Sequence, residues 1–268
     1  MNRSLLALAA VVLLSVVEAT AEASNRPDAN SLRLVPFPKR VSLRAERFTV
    51  KSGMIIRVSG SPAAKQVAKD IGNDLSVVVG VTCAVSSLPV KSDSQDWMLC
   101  ISPAKTQLAA IRSAVTAVPS QNESYALSVT SKCAVVRARS EAGLIWGEQA
   151  LRQLVRANMA GRTLPGLSIT DWPSLRYRGF QDDMTRGESS TLQFLKKEVS
   201  MGSLLKMNFW TYYMENQYVF TKHPTIGPKG GSMTHEELKA LADYAGRYGV
   251  DIVGNQQSLG HMEKILEQ

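Results

Sequence analysis

The spacing of hydrophobic residues in the first part of the chain predicts one long helix between short strands. Residues 48–58 predict a hairpin around the turn Lys51-Ser52-Gly53. A helix is predicted after Ser61-Pro62, because Ser is a typical N-cap and Pro a typical first helical residue. Apolar residues then recur every three or four positions until Gly80, which favours a helix end. Short apolar runs predict further strands at residues 81–85 and 97–101.

A hairpin and an amphipathic helix are predicted next. Alternating apolar residues at 125–129 predict a half-buried strand, with residues 134–138 as its antiparallel partner. The helix covers residues 143–154, where Gly143 and Gly147 indicate a close approach of the helix backbone to the sheet.

The second half of the chain alternates strand and helix. Strands are predicted at residues 177–182, 207–213 and 250–253. One helix is predicted from the helical spacing of apolar residues after Leu192, and another from the capping box Thr234-x-x-Glu237. A βαβαβ order implies parallel strands with right-handed crossovers, so this half is predicted to be α/β.

Composition and charge exclude several classes of protein. At 44% hydrophobic and 20% charged residues, the 268-residue chain has the composition of a soluble globular protein. The net charge is +8, but the basic residues are scattered, which argues against a nucleic-acid partner. Cys83, Cys100 and Cys133 are odd in number and lack metal-ligand spacing, so they are interpreted as buried apolar residues. No metal and no cofactor are expected.

The first residues are predicted to be a secretory signal peptide spanning residues 1–21. Arg3 supplies a positive n-region, residues 5–17 form a short apolar segment, and Ala19-Thr20-Ala21 is a small-x-small cleavage site. A retained N-terminal anchor is the alternative. The protein is therefore expected to be secreted or periplasmic, with no membrane contact after cleavage.

Two groups of residues carry a resemblance to a known family. Residues 169–173, followed by Tyr177-Arg178-Gly179-Phe180, resemble the start of the catalytic barrel of family 20 glycoside hydrolases, the β-N-acetylhexosaminidases. The predicted helix at 143–154 and the strand before it resemble the end of the small domain that precedes this barrel. The resemblance implies an α+β hexosaminidase-like domain at 31–172. It also implies the start of a (β/α)8 TIM-type barrel, left incomplete, at 173–268.

The same resemblance implies which residues contact a sugar. Arg178 matches the arginine that grips hydroxyls of the terminal sugar, and Asp182 is expected to orient Arg178 or the loop. Glu215, His261 and Glu263 lie in loops that line the sugar pocket in the family. The alternative for Arg178 and Asp182 is a strand followed by a solvated acidic turn. For His261 it is a histidine bonded to loop backbone, and for the two glutamates it is surface salt bridges.

The reaction implied by the resemblance is the removal of a terminal N-acetylhexosamine from a glycan. In this family the substrate's own acetamido oxygen attacks the anomeric carbon, an aspartate orients that amide, and the adjacent glutamate is the general acid. No Asp-Glu pair follows residue 172. Asp182 and Asp183 are no substitute, because neighbours on a strand point to opposite faces. No catalytic residue is therefore assigned, and the chain is expected to be incomplete.

Other functions remain open at this stage. A secreted, non-catalytic carbohydrate-binding or structural remnant is the main alternative to a hexosaminidase. O-GlcNAcases have a similar leading domain but would carry a vicinal Asp-Asp pair at the end of the fourth barrel strand, whereas Asp182-Asp183 falls on the first predicted strand. The α-glucuronidases, which also have a comparable leading domain, rank lower. The glycan, its linkage and the oligomeric state stay open.

Overall fold

A computed structural model describes residues 28–88, 97–114, 117–187, 189–255 and 257–266. The predicted signal peptide at 1–21 lies outside these ranges. Within them, no helix combines the length and the apolar character needed to cross a membrane.

The first part of the described chain forms a seven-stranded sheet with helices packed on it. The strands are β1 (Arg40–Thr49), β2 (Ile55–Ser59), β3 (Ala84–Leu88), β4 (Trp97–Ser102), β5 (Tyr125–Val129), β6 (Ala134–Ala138) and β7 (Thr163–Asp171). Their order is β1-β7-β5-β6-β4-β2-β3, and all neighbours are antiparallel except β2 and β3. The helices are α1 (Pro62–Val79), α2 (Leu108–Ser113) and α3 (Glu141–Asn158). The predicted α+β class is confirmed.

Local signals explain where the two long helices begin and how they pack. The Ser61 side chain accepts hydrogen bonds from the first-turn amides of α1, and Gly80 ends that helix in the left-handed conformation with φ 64°. Ser140 caps α3 in the same way by accepting from the amide of Gly143. A Cβ at Gly147 would lie 2.3 Å from Val136 Cγ1. The close approach of this helix to the sheet is therefore confirmed.

The predicted hairpin at residues 48–58 is wrong. A turn does separate β1 from β2, but four strands lie between them in the sheet. Phe48 pairs with Leu164 on β7, and Ile56 pairs with Ile101 on β4. A turn between two apolar runs reveals the change of direction, whereas the choice of partner depends on strands far away in sequence.

The strand predicted at residues 81–85 begins later than expected. Val81 is fully buried, and its amide donates to the carbonyl of Leu75 at the end of α1. It therefore completes the helix terminus, and β3 begins at Ala84. Hydrophobicity alone did not separate a buried helix-capping residue from a strand residue.

The second part of the chain forms a three-stranded parallel sheet in the order β10-β9-β8. Its strands are β8 (Gly179–Asp183), β9 (Phe209–Tyr213) and β10 (Asp251–Asn255). The helices between and after them are α4 (Leu192–Leu204), α5 (His235–Gly246) and the short α6 (Glu263–Leu266). The predicted βαβαβ order is confirmed, and Thr234 and Glu237 form the predicted capping box of α5.

Helix α3 joins the two sheets. One face of it covers the seven-stranded sheet, and it also packs against α4 of the second part. Gln149 Nε2 donates to Ser203 Oγ at 2.9 Å, and that hydroxyl donates to the carbonyl of Tyr248 at 2.8 Å. Buried apolar residues of both parts belong to one continuous core. The second sheet is thus held in place through a helix of the first.

Candidate functional site

A cluster of polar side chains lies where the parallel strands β8 and β9 end. Asp183 and Tyr213 are paired neighbours at the last positions of the two strands. The loops that follow carry Arg186 and Glu215, and the loop after β10 carries His261. In sheets of this kind, ligands bind beyond the carboxyl ends of the strands, so strand direction singles out this end.

Glu215 is the centre of the cluster. Its Oε1 accepts a hydrogen bond from the Tyr213 hydroxyl at 2.7 Å and one from Arg186 Nη1 at 3.1 Å. His261 Nδ1 lies 3.8 Å from the same oxygen. The residue Glu215 is only 7% exposed, whereas the side chains of Arg186 and His261 are 53% and 59% exposed. A buried acceptor therefore holds two side chains that still face solvent.

The aromatic ring of Tyr213 supports both of these side chains. The Arg186 guanidinium lies over it at 5.7 Å from the ring centroid, and the His261 ring meets it edge-on at 6.4 Å. One side chain of β9 thus contacts the carboxylate, the guanidinium and the imidazole of the cluster. This arrangement limits the freedom of exposed groups that would otherwise move independently.

The cluster favours the charged form of its carboxylates. Burial raises the pKa of Glu215, but the hydrogen bonds from Tyr213 and Arg186 and the attraction of Arg186 and His261 outweigh it, so this pKa lies below its usual value. Partial desolvation also raises the pKa of the exposed Asp183, but the hydrogen bonds from Thr185 and the charges of Arg186 and His261 outweigh it, so this pKa is lowered too. Both groups are therefore suited to accept hydrogen bonds near neutral pH and unsuited to donate a proton.

Two residues of the cluster have a backbone conformation that side chains rarely adopt. Glu215 has φ 44° and His261 has φ 54°. Such left-handed conformations in residues other than glycine cost on the order of 1 kcal/mol or more, and they concentrate at ligand sites. Here the contacts to Glu215 Oε1 hold both residues in place.

The chemistry available to the cluster is the binding of hydroxyl groups. Arg186 offers a rigid fork of donors, and Glu215 offers a fixed acceptor beside it. Neighbouring donors and acceptors of this kind match the hydroxyls of a sugar ring. Among the described residues, no group of three or more His, Cys, Asp or Glu side chains is placed to hold a metal ion.

The position of Arg178 does not support the predicted sugar contact. Its Nη2 donates to Glu123 at 2.6 Å, and its remaining nitrogens donate to the carbonyls of Lys206, Leu175 and Arg176. It precedes β8 and lies five positions before Asp183, about 16 Å at the usual rise along a strand. The prediction that Arg178 shares a pocket with His261 is therefore corrected. Arg178 joins the two parts of the chain.

Asp182 also lies away from the cluster. It pairs with Tyr212 on β9, and its charge acts on Glu198 of α4, on the helix-covered face of the sheet. It makes no hydrogen bond with Arg178, so the expectation that it orients Arg178 is corrected, while a role in orienting the loop stays a prediction. The expectation that Asp182 and Asp183 face opposite ways agrees with these contacts. Glu263 is exposed and makes no hydrogen bond or ion pair with the described residues.

Of the predicted site residues, the structure brings together Glu215 and His261. Their neighbours Arg186, Tyr213 and Asp183 were not predicted as site residues. The direction of the strand was the available signal, because Arg178 precedes β8 whereas Arg186 follows it. Because parallel strands present chemistry at their carboxyl ends, the second arginine was the better candidate.

Comparisons with known proteins agree with this architecture. A model of the family described as Glycosyl hydrolase family 20, domain 2, matches residues 31–172. Beta-hexosaminidase of Porphyromonas gingivalis is 24% identical over an alignment of 174 residues that covers 56% of this chain and 22% of that protein. Beta-hexosaminidase of Akkermansia muciniphila is 28% identical over an alignment of 165 residues that covers 54% of this chain and 33% of that protein. The chain thus matches one third or less of the length of these curated relatives.

Solved structures share the fold at low sequence identity. Flavobacterium johnsoniae chitobiase matches with a TM-score of 0.69 at 19% identity, over 90% of this chain and 37% of that one. Streptomyces plicatus N-acetyl-beta-hexosaminidase matches with a TM-score of 0.67 at 20% identity, over 88% of this chain and 48% of that one. That structure was solved in complex with Thio-NAglucal. These likenesses cover both sheets, and the family match spans more than half of the sequence. The chain belongs to glycosyl hydrolase family 20.

Proposed function

We propose that this chain provides the small domain and part of the sugar site of a β-N-acetylhexosaminidase, a glycosidase that removes terminal N-acetylhexosamine by substrate-assisted retaining hydrolysis. The observation that carries the proposal is the cluster of Arg186, Glu215 and His261 beyond the ends of the parallel strands. The names of the matched relatives, beta-hexosaminidase and chitobiase, support the reaction class. The Streptomyces plicatus enzyme with D313A, solved with the product GlcNAc, supports the sugar class.

We further infer that the three parallel strands are the beginning of a (β/α)8 barrel. Parallel strands joined by helices, with the polar cluster at their carboxyl ends, are what such a barrel requires. In that setting the cluster would form one side of the barrel mouth. The proposed location of the protein is secreted or periplasmic, on the basis of the apolar segment near its start.

In the proposed site Arg186 donates hydrogen bonds to ring hydroxyls, and Glu215 orients Arg186 while accepting from the sugar or from His261. Glu215 is not proposed as the general acid. An acid that protonates the leaving oxygen needs a raised pKa, and the pKa of Glu215 is lowered. The cluster is therefore a binding device, and the proton donor of the reaction is not assigned to it.

A titration of the full chain with N-acetylglucosamine, followed by ligand-observed NMR, tests the proposal. We expect saturable binding on the order of millimolar, since a monosaccharide held by a few hydrogen bonds gains little affinity. Arg186→Ala removes a charged donor and is expected to weaken binding about tenfold or more. Arg186 is half exposed, so the fold should tolerate this change.

Two arginine variants serve as controls. Arg176→Ala removes an exposed arginine away from the cluster and should leave binding unchanged. Arg178→Ala separates the two assignments, because it should also leave binding unchanged at temperatures where the variant is folded. Binding that disappears with Arg178→Ala but survives Arg186→Ala would refute the proposed site.

A further inference from the structure

A second concave site lies at the amino-terminal end of β8 and β9, where this end meets the seven-stranded sheet. We call it the seam cavity. Its volume is about 190 Å³. Its walls are mainly aromatic and apolar, formed by Phe37, Tyr125, Trp146, Trp172, Pro173 and Leu175. Arg178 lies on the wall of the seam cavity, so the length of β8 separates this cavity from the cluster of Arg186, Glu215 and His261, called the sugar cluster below.

Two cations on the wall of the seam cavity retain donor capacity. Lys206 is 7% exposed, and its ammonium donates to the Tyr125 hydroxyl at 2.9 Å and to Asp171 Oδ2 at 3.0 Å. An ammonium has three N–H groups, so one is uncommitted among the described residues. Arg178 commits four of its five N–H groups, to Glu123 and to three carbonyls. Two residues of the cavity lining therefore each keep one N–H group that bonds to no described residue.

The charges that line the seam cavity favour an anion. Lys39, Arg178 and Lys206 contribute three positive charges, against the two carboxylates of Glu123 and Asp171. A cavity with apolar walls and a surplus positive charge attracts a negatively charged ligand more strongly than open solvent-exposed cations would. The Asp171–Lys206 pair also keeps the cavity formed without a ligand, since both groups are almost completely buried.

Backbone conformation singles out the same place. Glu123 has φ 57° and Lys206 has φ 63°. The other residues besides glycine with positive φ in the described chain are Glu215 and His261 of the sugar cluster. The left-handed conformation of Lys206 ends α4, as helices commonly end, whereas Glu123 lies in a loop, where this conformation in a residue other than glycine is typical of ligand sites.

The volume limits the ligand to about one ring. An apolar cavity of roughly 150 Å³ holds benzene, and drug-sized ligands need roughly 300 Å³ or more. We propose that the seam cavity binds a small aromatic carboxylate, with the ring against the aromatic walls and the carboxylate accepting from the uncommitted N–H groups of Lys206 and Arg178. This site is independent of the proposed glycosidase function.

A titration of the full chain with benzoate, followed by ligand-observed NMR, tests this site. We expect a dissociation constant on the order of 1 mM for a ligand of this size. Lys206→Met removes the ammonium and should weaken binding about tenfold or more. Leu175 is 67% exposed on the cavity wall, so Leu175→Trp should fill the cavity and abolish binding without affecting the core. This second variant keeps the test decisive if Lys206→Met does not fold.

Controls distinguish the cavity from non-specific binding. Arg186→Ala changes the sugar cluster and should leave benzoate binding unchanged. Benzyl alcohol, which has the ring without the charge, should bind at least about tenfold more weakly. Absence of saturable benzoate binding up to about 50 mM, far above the expected constant, would overturn the proposal. Benzoate binding that Leu175→Trp leaves intact, or equal binding of benzyl alcohol, would overturn it as well.

Discussion

Glu123 accepts a hydrogen bond from Arg178 at 2.6 Å and so joins the loop before β5 to the start of β8. The same carboxylate oxygen accepts from Trp146 Nε1 on α3 at 2.7 Å. The Arg178 guanidinium also lies over the Trp146 ring, 5.4 Å from its centroid. Glu123 therefore connects α3 to the start of the second, parallel sheet.

Arg178→Ala is expected to reduce the free energy of unfolding by about 2 kcal/mol. The change takes the charged donor away from Glu123, which keeps Trp146, and one donor away from each of three carbonyls, in a place where both charged side chains are mostly buried. Urea unfolding followed by circular dichroism measures the effect. The exposed Arg176 provides the matched control, and Arg176→Ala should change stability by less than about 0.5 kcal/mol. Equal stability of the two variants would show that the Glu123–Arg178 contact does not hold the two parts together.

Tyr213→Phe is expected to raise the pKa of Glu215, because the tyrosine hydroxyl donates the shortest hydrogen bond to that carboxylate. A carboxyl whose pKa is lowered by folding adds stability above its unfolded pKa and loses it as the pH falls through the folded pKa. The variant should therefore lose less stability on acidification. The carboxyl carbon shift of Glu215, followed by NMR against pH, measures the pKa directly.

The neighbouring tyrosine gives the control for this change. Tyr212 is fully buried, and its hydroxyl has no partner among the described residues. Tyr212→Phe should leave the pKa of Glu215 unchanged and cost little stability. A Glu215 titration that is identical in the protein and in Tyr213→Phe would contradict the hydrogen bond as the cause.

Glu148→Leu is expected to stabilise the protein by about 1–3 kcal/mol near neutral pH. Glu148 is fully buried on α3, and neither carboxyl oxygen has a partner among the described residues. Burial, with the nearby charges of Glu141 and Asp70, raises its pKa well above the usual value. A leucine of similar volume removes this unsatisfied group. Thermal unfolding measured over a range of pH tests the prediction.

The sign of the pH effect follows from the raised pKa of Glu148. The folded protein holds the Glu148 proton more tightly than the unfolded chain, where the pKa of this group is about 4.5, so folding loses stability as the pH rises above that value. Leucine does not titrate, and the gain from Glu148→Leu should therefore grow with pH. The adjacent Gln149 is also fully buried, but its amide is bonded to Ser203 and Arg152. Gln149→Leu should therefore destabilise the protein. Destabilisation by both substitutions would mean that Glu148 has a partner.

Asp182→Asn is expected to lower the pKa of Glu198, which burial and then the charge of Asp182 raise to about 7. The pKa should stay above its usual value in the variant, because burial is the larger cause. Carboxyl carbon shifts measured by NMR against pH give the pKa. Asp183→Asn is the control on the opposite face of the strand and should have no effect on Glu198. A change of equal size in both variants would contradict the predicted facing of the two aspartates.

Local signals in the sequence were sufficient for the four long helices, whereas the six-residue α2, whose N-cap Gln107 makes no capping hydrogen bond through its side chain, was not predicted. Ser61 before Pro62 and the box of Thr234 and Glu237 mark helix starts by satisfying backbone amides, and this requires no distant partner. The pairing of β5 with β6 was equally readable, since they are neighbours in sequence, but the prediction that β5 is half-buried was wrong, because all five of its residues are buried. Parallel pairing in the second sheet followed from the order of strands and helices.

Strand β7 was not predicted, because it contains a proline and a glycine whose place in a strand depends on the neighbouring strand β1. Pro165 and Gly166 interrupt the strand pattern, yet Pro165 pairs with Arg47, beside an irregularity in β1. A Cβ at Gly166 would lie 2.2 Å from the carbonyl oxygen of Glu46, so glycine is needed there. This requirement is set by a residue more than a hundred positions away. Local sequence does not contain it.

The site was predicted in part, and its error has a physical origin. Glu215 and His261 were found through resemblance, but Arg178 was chosen over Arg186 although both are followed by glycine in the same segment. The polar partners decide between them: Arg178 is held by Glu123, and Arg186 is held by Glu215. Pairings of this kind depend on loops from separate elements, and a one-dimensional pattern does not show them.

The position of β1 at the edge of the seven-stranded sheet has a consequence for biosynthesis. Its hydrogen-bonding neighbour is β7, so Arg40 cannot form its native pair until Thr170 has been synthesised. While the nascent chain lengthens on the ribosome, β1 has no native partner, and the ordering of β1 is delayed by the loop that must close. Ribosome-bound chains ending before residue 163 should therefore be cleaved by protease within β1, and chains that expose β7 should resist.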